Sequence, residues 1–413
     1  MSKSLKLILF LFVIASCSPD KKSYNKSFYQ DISILNQKSD SIDIKDVIDF
    51  HKQGKFSEVM PNQIIYEIKG LEATWLHFKL DRLQTKKVFT IWNNFLDYSK
   101  LYVVSSDSKI IERKEFSLLE KGKFKGNTRK PIWYFTSKDS YADVFVKVKD
   151  FNLTTNLNLV LLDETEHQKL LQKEDSIILL QSFFLCILFI FIFLIFIARK
   201  ELSLLWYSFY IILYLVEYLF HMGVHNQFGI LNVPVLQSVA QVFLPQHGIF
   251  FACLFFIQFF NYSEETKWIQ KLFKKITYYF GITVICFYLF FIFNKVLFPK
   301  EIIVYTGRFA AIIILIAHIY LAIKKVIPYY LAMAFNIPIL CFFFFVLNRP
   351  DFNTSFNQIL FTDTLFYFST SLEICVVLFF IVKSLIKNEV VAARLKNENL
   401  KLILSSRLKY SLR

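Results

Sequence analysis

Five ionisable side chains, Glu217, His247, Arg308, His318 and Glu373, stand inside long apolar stretches of this sequence. A charge at membrane depth is costly and usually faces a bundle interior or a water-filled cavity, so each is a candidate for proton transfer or charge pairing. Arg308 comes early in its stretch and Glu217 late in an antiparallel one, so both should lie near the same leaflet and could pair. Glu373 falls near mid-membrane and is the preferred switch element. The plainer alternative is a fixed structural pair or snorkelling to the interface.

A second set is aromatic. Trp75, Trp92, Tyr98, Tyr102, Trp133 and Tyr134 lie in the N-terminal half. Their faces can stack on sugar rings while their polar tips hydrogen bond, which makes them ligand-binding candidates; the competing use is to fill a core. The cysteines Cys186, Cys253, Cys286, Cys341 and Cys375 fall one per apolar run, without metal-ligand spacing, and read as small packing residues. No Gly-rich phosphate loop, Ser/His/Asp arrangement or His-Glu-x-x-His motif occurs. The expectation is therefore a non-enzyme with no catalytic residue, no cofactor and no metal.

The elements that must position these residues follow from composition. The chain has 413 residues, is 55% hydrophobic and carries a net charge of +15. Soluble domains are less apolar, and here the excess is gathered into runs of about 20 residues, the length that crosses about 30 Å of hydrocarbon. Seven such runs are expected, at 176–198, 202–221, 235–260, 276–293, 302–322, 327–347 and 364–382. The charge belongs to this arrangement rather than to nucleic acid. Alternate gaps hold eight basic residues (Arg199, Lys200, Lys267, Lys271, Lys274, Lys275, Lys324, Lys325) against three (Lys295, Lys300, Arg349), which orients the C-terminus to the cytoplasm.

At the other end, Lys3 and Lys6 precede an apolar run from Leu7 to Ala15 and then small residues, the pattern of a secretory signal peptide. Ile14-Ala15-Ser16-Cys17 looks like a lipobox, which makes Cys17 a candidate for acylation. The resulting plan is a signal peptide with lipobox at 1–17, a polar tether at 18–38, an exported β domain at 39–164 and a stalk at 165–175. A seven-span domain follows at 176–382, then a basic cytoplasmic helix at 383–413. Strands are read from period-2 alternation, as in Leu76, Phe78 and Leu80 or Val144, Val146 and Val148, and many short strands with little helix between them suggest an antiparallel sandwich.

The tail carries eight basic and two acidic residues without Pro or Gly. Ile381, Leu385, Asn388, Ala392, Leu395, Asn399 and Leu402 alternate in steps of four and three, the seam of a coiled coil that would pair two copies of the chain. The alternative is an amphipathic helix on the anionic inner leaflet, held by Lys387, Arg394, Lys396 and Lys401.

Several segments together resemble a family, the bacterial seven-transmembrane receptors with diverse intracellular signalling modules, in the branch with the type-2 extracellular domain. They are Ala73-Thr74-Trp75-Leu76-His77-Phe78-Lys79-Leu80, Leu96-Asp97-Tyr98-Ser99-Lys100-Leu101-Tyr102-Val103-Val104, Arg129-Lys130-Pro131, residues 142–162, Tyr218-Leu219-Phe220-His221-Met222-Gly223, and residues 369–382 around Glu373. The resemblance implies an all-β jelly-roll-like sandwich outside the membrane that binds a small ligand, a carbohydrate being one class. It further implies an α-helical seven-transmembrane bundle in a bacterial inner membrane that passes the signal inward. In that family a kinase, cyclase or DNA-binding module follows the last helix; here a short basic helix does, so the output would fall to a separate cytoplasmic signalling partner. The partners expected are thus membrane lipid, the small outer ligand, that signalling protein and a second copy of the chain. The rival reading is a transporter or channel with an accessory outer domain, for which inverted repeats and broken helices would be needed; neither is evident. A membrane enzyme with buried His and Glu as acid and base lacks any motif.

Overall fold

The computed structural model describes residues 32–37, 42–58, 73–91, 98–105, 109–112, 116–117, 130–149, 159–224, 234–294, 300–347 and 356–411. Cys17, the signal peptide and Trp92 lie outside the described residues.

The N-terminal part is built from strands β1 (Ser33–Gln37), β2 (Ser57–Glu58), β3 (Ala73–Lys79), β4 (Lys87–Ile91), β5 (Tyr98–Val104), β6 (Ile110–Glu112), β7 (Phe116–Ser117), β8 (Ile132–Phe135), β9 (Asp143–Lys149) and β10 (Leu159–Asp163), with helix α1 (Ile44–Lys52) after β1. Two antiparallel sheets result. One runs β2-β1-β3-β9-β5-β6 with β7 added to β5, and the other runs β10-β4-β8. Leu76, Phe78, Leu101, Val103, Val144, Val146 and Val148 of the first sheet meet Phe89, Ile91, Trp133, Phe135 and Leu159 of the second in one apolar core. Residues 33–37, expected in the tether, are instead strand β1 paired along β3.

The opposite face of the larger sheet is also closed. Leu35, Trp75, Tyr102, Val104 and Phe145 lie beneath Ile44 and Val47 of α1, so β3 is buried on both faces up to Phe78. Alternation along a strand says which residues share a face; it does not say whether a second layer covers that face. Helix α1 is fixed at both ends. The Asp43 carboxylate accepts from the Ile44 N–H at 2.7 Å. At the other end Gly54, at φ +69, lets the Gly54 and Lys55 N–H groups donate back to the His51 and Phe50 carbonyls, each at 3.0 Å.

Helices α2 (Glu164–Arg199), α3 (Leu202–His221), α4 (Pro234–Phe259), α5 (Lys267–Asn294), α6 (Lys300–Ile323), α7 (Tyr329–Leu347) and α8 (Phe356–Ser411) follow among the described residues. Among the described residues, four helical stretches are long and apolar enough to cross a membrane: Glu164–Arg199, Leu202–His221, Tyr305–Ile323 and Phe368–Lys401. Leu179, Leu180, Phe183 and Leu194 of α2 point outward with more than half their surface uncovered, a face that water would not tolerate and lipid does. The chain is a membrane protein. Its inner helical core gathers Tyr207, Tyr218, Phe255, Phe273 and Phe280, all fully buried. Helix α8 runs 56 residues without interruption, so the apolar segment and the basic tail are one helix.

Phe78, whose ring centroid lies 4.9 Å from that of Phe89, is wholly enclosed in the inter-sheet core. Phe78→Ala is expected to cost about 3–5 kcal/mol through lost burial and the cavity left behind. Denaturant titration followed by the emission of Trp133, which stacks on Phe89, measures it.

Candidate functional site

The sheets and the helices meet where β10 passes directly into α2. The Glu164 N–H donates to the Lys86 carbonyl at 3.1 Å, and the Lys86 ammonium reaches the Glu164 carboxylate at 3.0 Å. Asp163 is held by the Thr85 hydroxyl and, at 3.1 Å, by Lys87; these bonds, the Thr85 one above all, keep its carboxyl below the usual range. Such surface pairs contribute between zero and about 1 kcal/mol each. They align the joint without locking it.

The lock lies deeper. Lys130, just before β8, donates from Nζ to Glu174 Oε1 of α2 at 2.6 Å, and both side chains are all but sealed from solvent, at 1% and 2% exposure. Glu174 sits nearly three turns into α2, so the bond ties the sheet domain to the helix well past the chain connection. Burying two charges carries a desolvation cost close to their attraction; removing one partner of a buried pair costs about 3–5 kcal/mol. His167, two turns earlier on the same helix face and also buried, completes the group. Burial, and then the nearby Lys130 cation, lower its pKa to about 4, with Glu164 opposing, so it is neutral at pH 7. Neither His167 nor Glu174 stands out in the sequence, where both belong to a polar helical stretch; Lys130 is visible only within Arg129-Lys130-Pro131.

The aromatic candidates separate. Trp75 and Tyr102 lie under α1, their ring centroids 5.8 Å apart, and Trp133 is in the inter-sheet core. Tyr98 is half-buried at the start of β5. Tyr134 is exposed beside Lys86, whose ammonium is 5.6 Å from the ring centre. Among the described residues, the aromatic side chains named from sequence are therefore not all on one face.

Within the helices, Glu373 of α8 is buried and accepts from the Tyr210 hydroxyl of α3 at 3.2 Å. His318 of α6 is fully enclosed by Phe256, Phe273 and Phe335, with Nδ1 3.2 Å from Asn336 Oδ1 of α7. His247 of α4 lies 3.4 Å from the Tyr288 hydroxyl of α5. No ion pair joins Glu217 to Arg308 among the described residues; Arg308 lies over the Tyr305 ring at 5.8 Å. The intramembrane candidates thus divide among separate helix pairs. Helices α2 and α8 are linked twice, by Gln181 to Ser371 and by Arg199 to Glu389.

A last group has no linear signature. His51 of α1, His77 of β3 and Asp143 of β9 bring one ligand-capable atom each to within 4.8 Å of one another. Hydrogen bonding to His77 holds the Asp143 carboxyl below its ordinary range, while burial and the neighbouring His77 lower the His51 imidazole, Asp143 partly opposing. Near pH 7 the group offers a carboxylate and a neutral His51 imidazole. No protein-family model and no curated protein matches the chain.

Two outcomes are expected at the junction. Lys130→Met alone should destabilise the sheet domain by about 3–5 kcal/mol, and Lys130→Met with Glu174→Leu should recover most of the loss, as read by thermal melts of the full chain in micelles. Because His167 refuses in the folded state a proton that it accepts at about pH 6.5 when unfolded, its contribution to stability is present above that pH and is lost as the pH falls toward 4. The melting difference between wild type and His167→Gln should shrink across that window.

Proposed function

We propose that the chain is a signal receptor of a bacterial inner membrane, with the sheet domain outside, seven spans and the C-terminus in the cytoplasm. In this reading the two sheets form a jelly-roll-like sandwich that binds a small ligand, a carbohydrate being the class suggested by the resemblance to seven-transmembrane receptors. The observation that carries it is the buried Lys130–Glu174 bond across the direct β10–α2 joint. An accessory domain needs only a tether; a sensor needs a joint that cannot slip.

The contacts beyond it continue inward. Helix α2 bonds α8 at Ser371 and again at Glu389, and α8 carries the basic tail without a break. A ligand that prefers one packing of this joint would shift the population of the tail's arrangements by its differential affinity. Contiguity supports this and coupling must be measured. Ile386, Val390, Val391 and Leu395 of the tail are exposed on a single chain, which suits pairing with a second copy or with a signalling protein. The transporter reading draws less support, since Glu373, His318 and His247 pair within three different sets of helices.

The test uses the full chain in lipid nanodiscs. Hydrogen exchange of residues 383–401 is expected to change at least about fivefold between wild type and the Lys130→Met variant, the lower range of an allosteric coupling. Equal exchange in the tail, with the junction itself altered, would overturn transmission. A reporter fused after Arg413 should be active only as a cytoplasmic reporter, and activity outside would refute the topology.

A further inference from the structure

Helix α1 ends at a fixed point, and that point is chemically specific. Its terminal Gly54 turn sets His51 in the last turn, over the face of the larger sheet. On that face His77 and Ser33 are directly opposite each other in the β1–β3 register. Asp143 lies two residues before Phe145, the partner of His77 in β9, and therefore on the same face. Three chain segments distant in sequence thus deliver two imidazoles and a carboxylate to one place.

We propose that His51, His77 and Asp143 form a binding site for a divalent first-row transition cation, with zinc as the reference ion. The distances suit it. His77 Nε2 lies 3.0 Å from Asp143 Oδ1. Zinc bonds of about 2.0–2.2 Å in tetrahedral geometry hold neighbouring ligand atoms about 3.3–3.5 Å apart, so the pair opens by a few tenths of an ångström. The orphaned atom fits as well: His51 Nδ1 is buried with no hydrogen-bond partner, beside a His77 ring whose centroid is 3.8 Å away.

The surroundings supply what such a site requires. Ser33 Oγ, 3.2 Å from His77 Nδ1, can serve either tautomer of that ring. Without metal it donates to Nδ1 while Nε2–H donates to Asp143. With metal, the proton resides on Nδ1, Ser33 accepts it, and the Nε2 lone pair faces the ion. This is the outer-shell bond that metal-bound histidines generally make. Two imidazoles with one carboxylate suit zinc, cobalt, nickel or ferrous iron and not the all-oxygen preference of calcium and magnesium. Asp143 is 40% exposed, so ions can reach the group and a fourth position is left for water or an exogenous donor. The site stands whether or not the receptor reading holds.

Full-length protein in micelles, stripped with chelator, is titrated with zinc by calorimetry and with cobalt by visible absorption. One ion per chain with tetrahedral cobalt bands is expected. His51→Gln and Asp143→Asn, both away from the inter-sheet core, should weaken binding tenfold or more, and Ser33→Ala on the order of tenfold. Circular dichroism of the metal-free variants checks that they fold. X-ray absorption at the zinc edge of the wild type reads the ligand set directly, so the proposal does not hang on variant folding: two imidazoles with oxygen are expected. Sulfur or all-oxygen ligation, no stoichiometric binding, or binding unchanged in both variants would overturn it.

Discussion

Lys130 and Glu174 are buried facing each other where the sheet domain meets the first long helix. Alone, either charge would draw water into the junction or force the sheet domain off the helix, and the cost of doing so exceeds anything the surface pairs at Lys86, Lys87, Asp163 and Glu164 contribute. The relation of the two parts of the molecule therefore draws on this buried bond of 2.6 Å together with the apolar contact of Val160 and Leu162 with Leu170, Leu171 and Ile177. Everything on the sheet side keeps Lys130 in place: β8 follows it at once and pairs with β4, which pairs with β10, which becomes α2. The circuit closes on itself, from strand to helix and back through the ion pair.

The larger sheet is unusual in being covered on both faces, by the smaller sheet and by α1. That second cover decides what the polar residues on β3 and β9 can do. Under a helix, His77 cannot be satisfied by water and must find protein partners, as it does in Ser33 and Asp143. A solvent-facing strand would have left the same three side chains as unremarkable surface groups. The covering layer turns composition into chemistry.

The sequence made the apolar helices and most strands legible for simple reasons. Lipid demands long apolar runs, and successive strand side chains alternate between faces, so β3 and β9 lie where alternation puts them. Helix α1 was not legible, because Lys45, Asp46, Asp49 and Lys52 interrupt the few apolar residues of a nine-residue segment, Ile44, Val47, Ile48 and Phe50. Nor could alternation say whether Trp75 faces a core or solvent, since that depends on the unforeseen layer. The junction and the His-His-Asp group were hidden for another reason. Lys130 and Glu174 are 44 residues apart and of types that normally stay in water, and His51, His77 and Asp143 converge only after three elements have packed. Glu373 was legible as a buried group, and its partner Tyr210 was not.

Helix α8 has mechanical properties that follow from its length. At 56 residues it extends about 84 Å, against a hydrocarbon slab of about 30 Å, and it contains neither Pro nor Gly to act as a hinge. A rod of that kind transmits torsion. A turn of the helix as a whole, with its ties to α2 at Ser371 and Glu389 shifting together, would swing side chains at Leu395 around the axis and present a different stripe to whatever stands beside it. In the receptor proposed above the helix would serve as a drive shaft, its output an angle rather than a displacement.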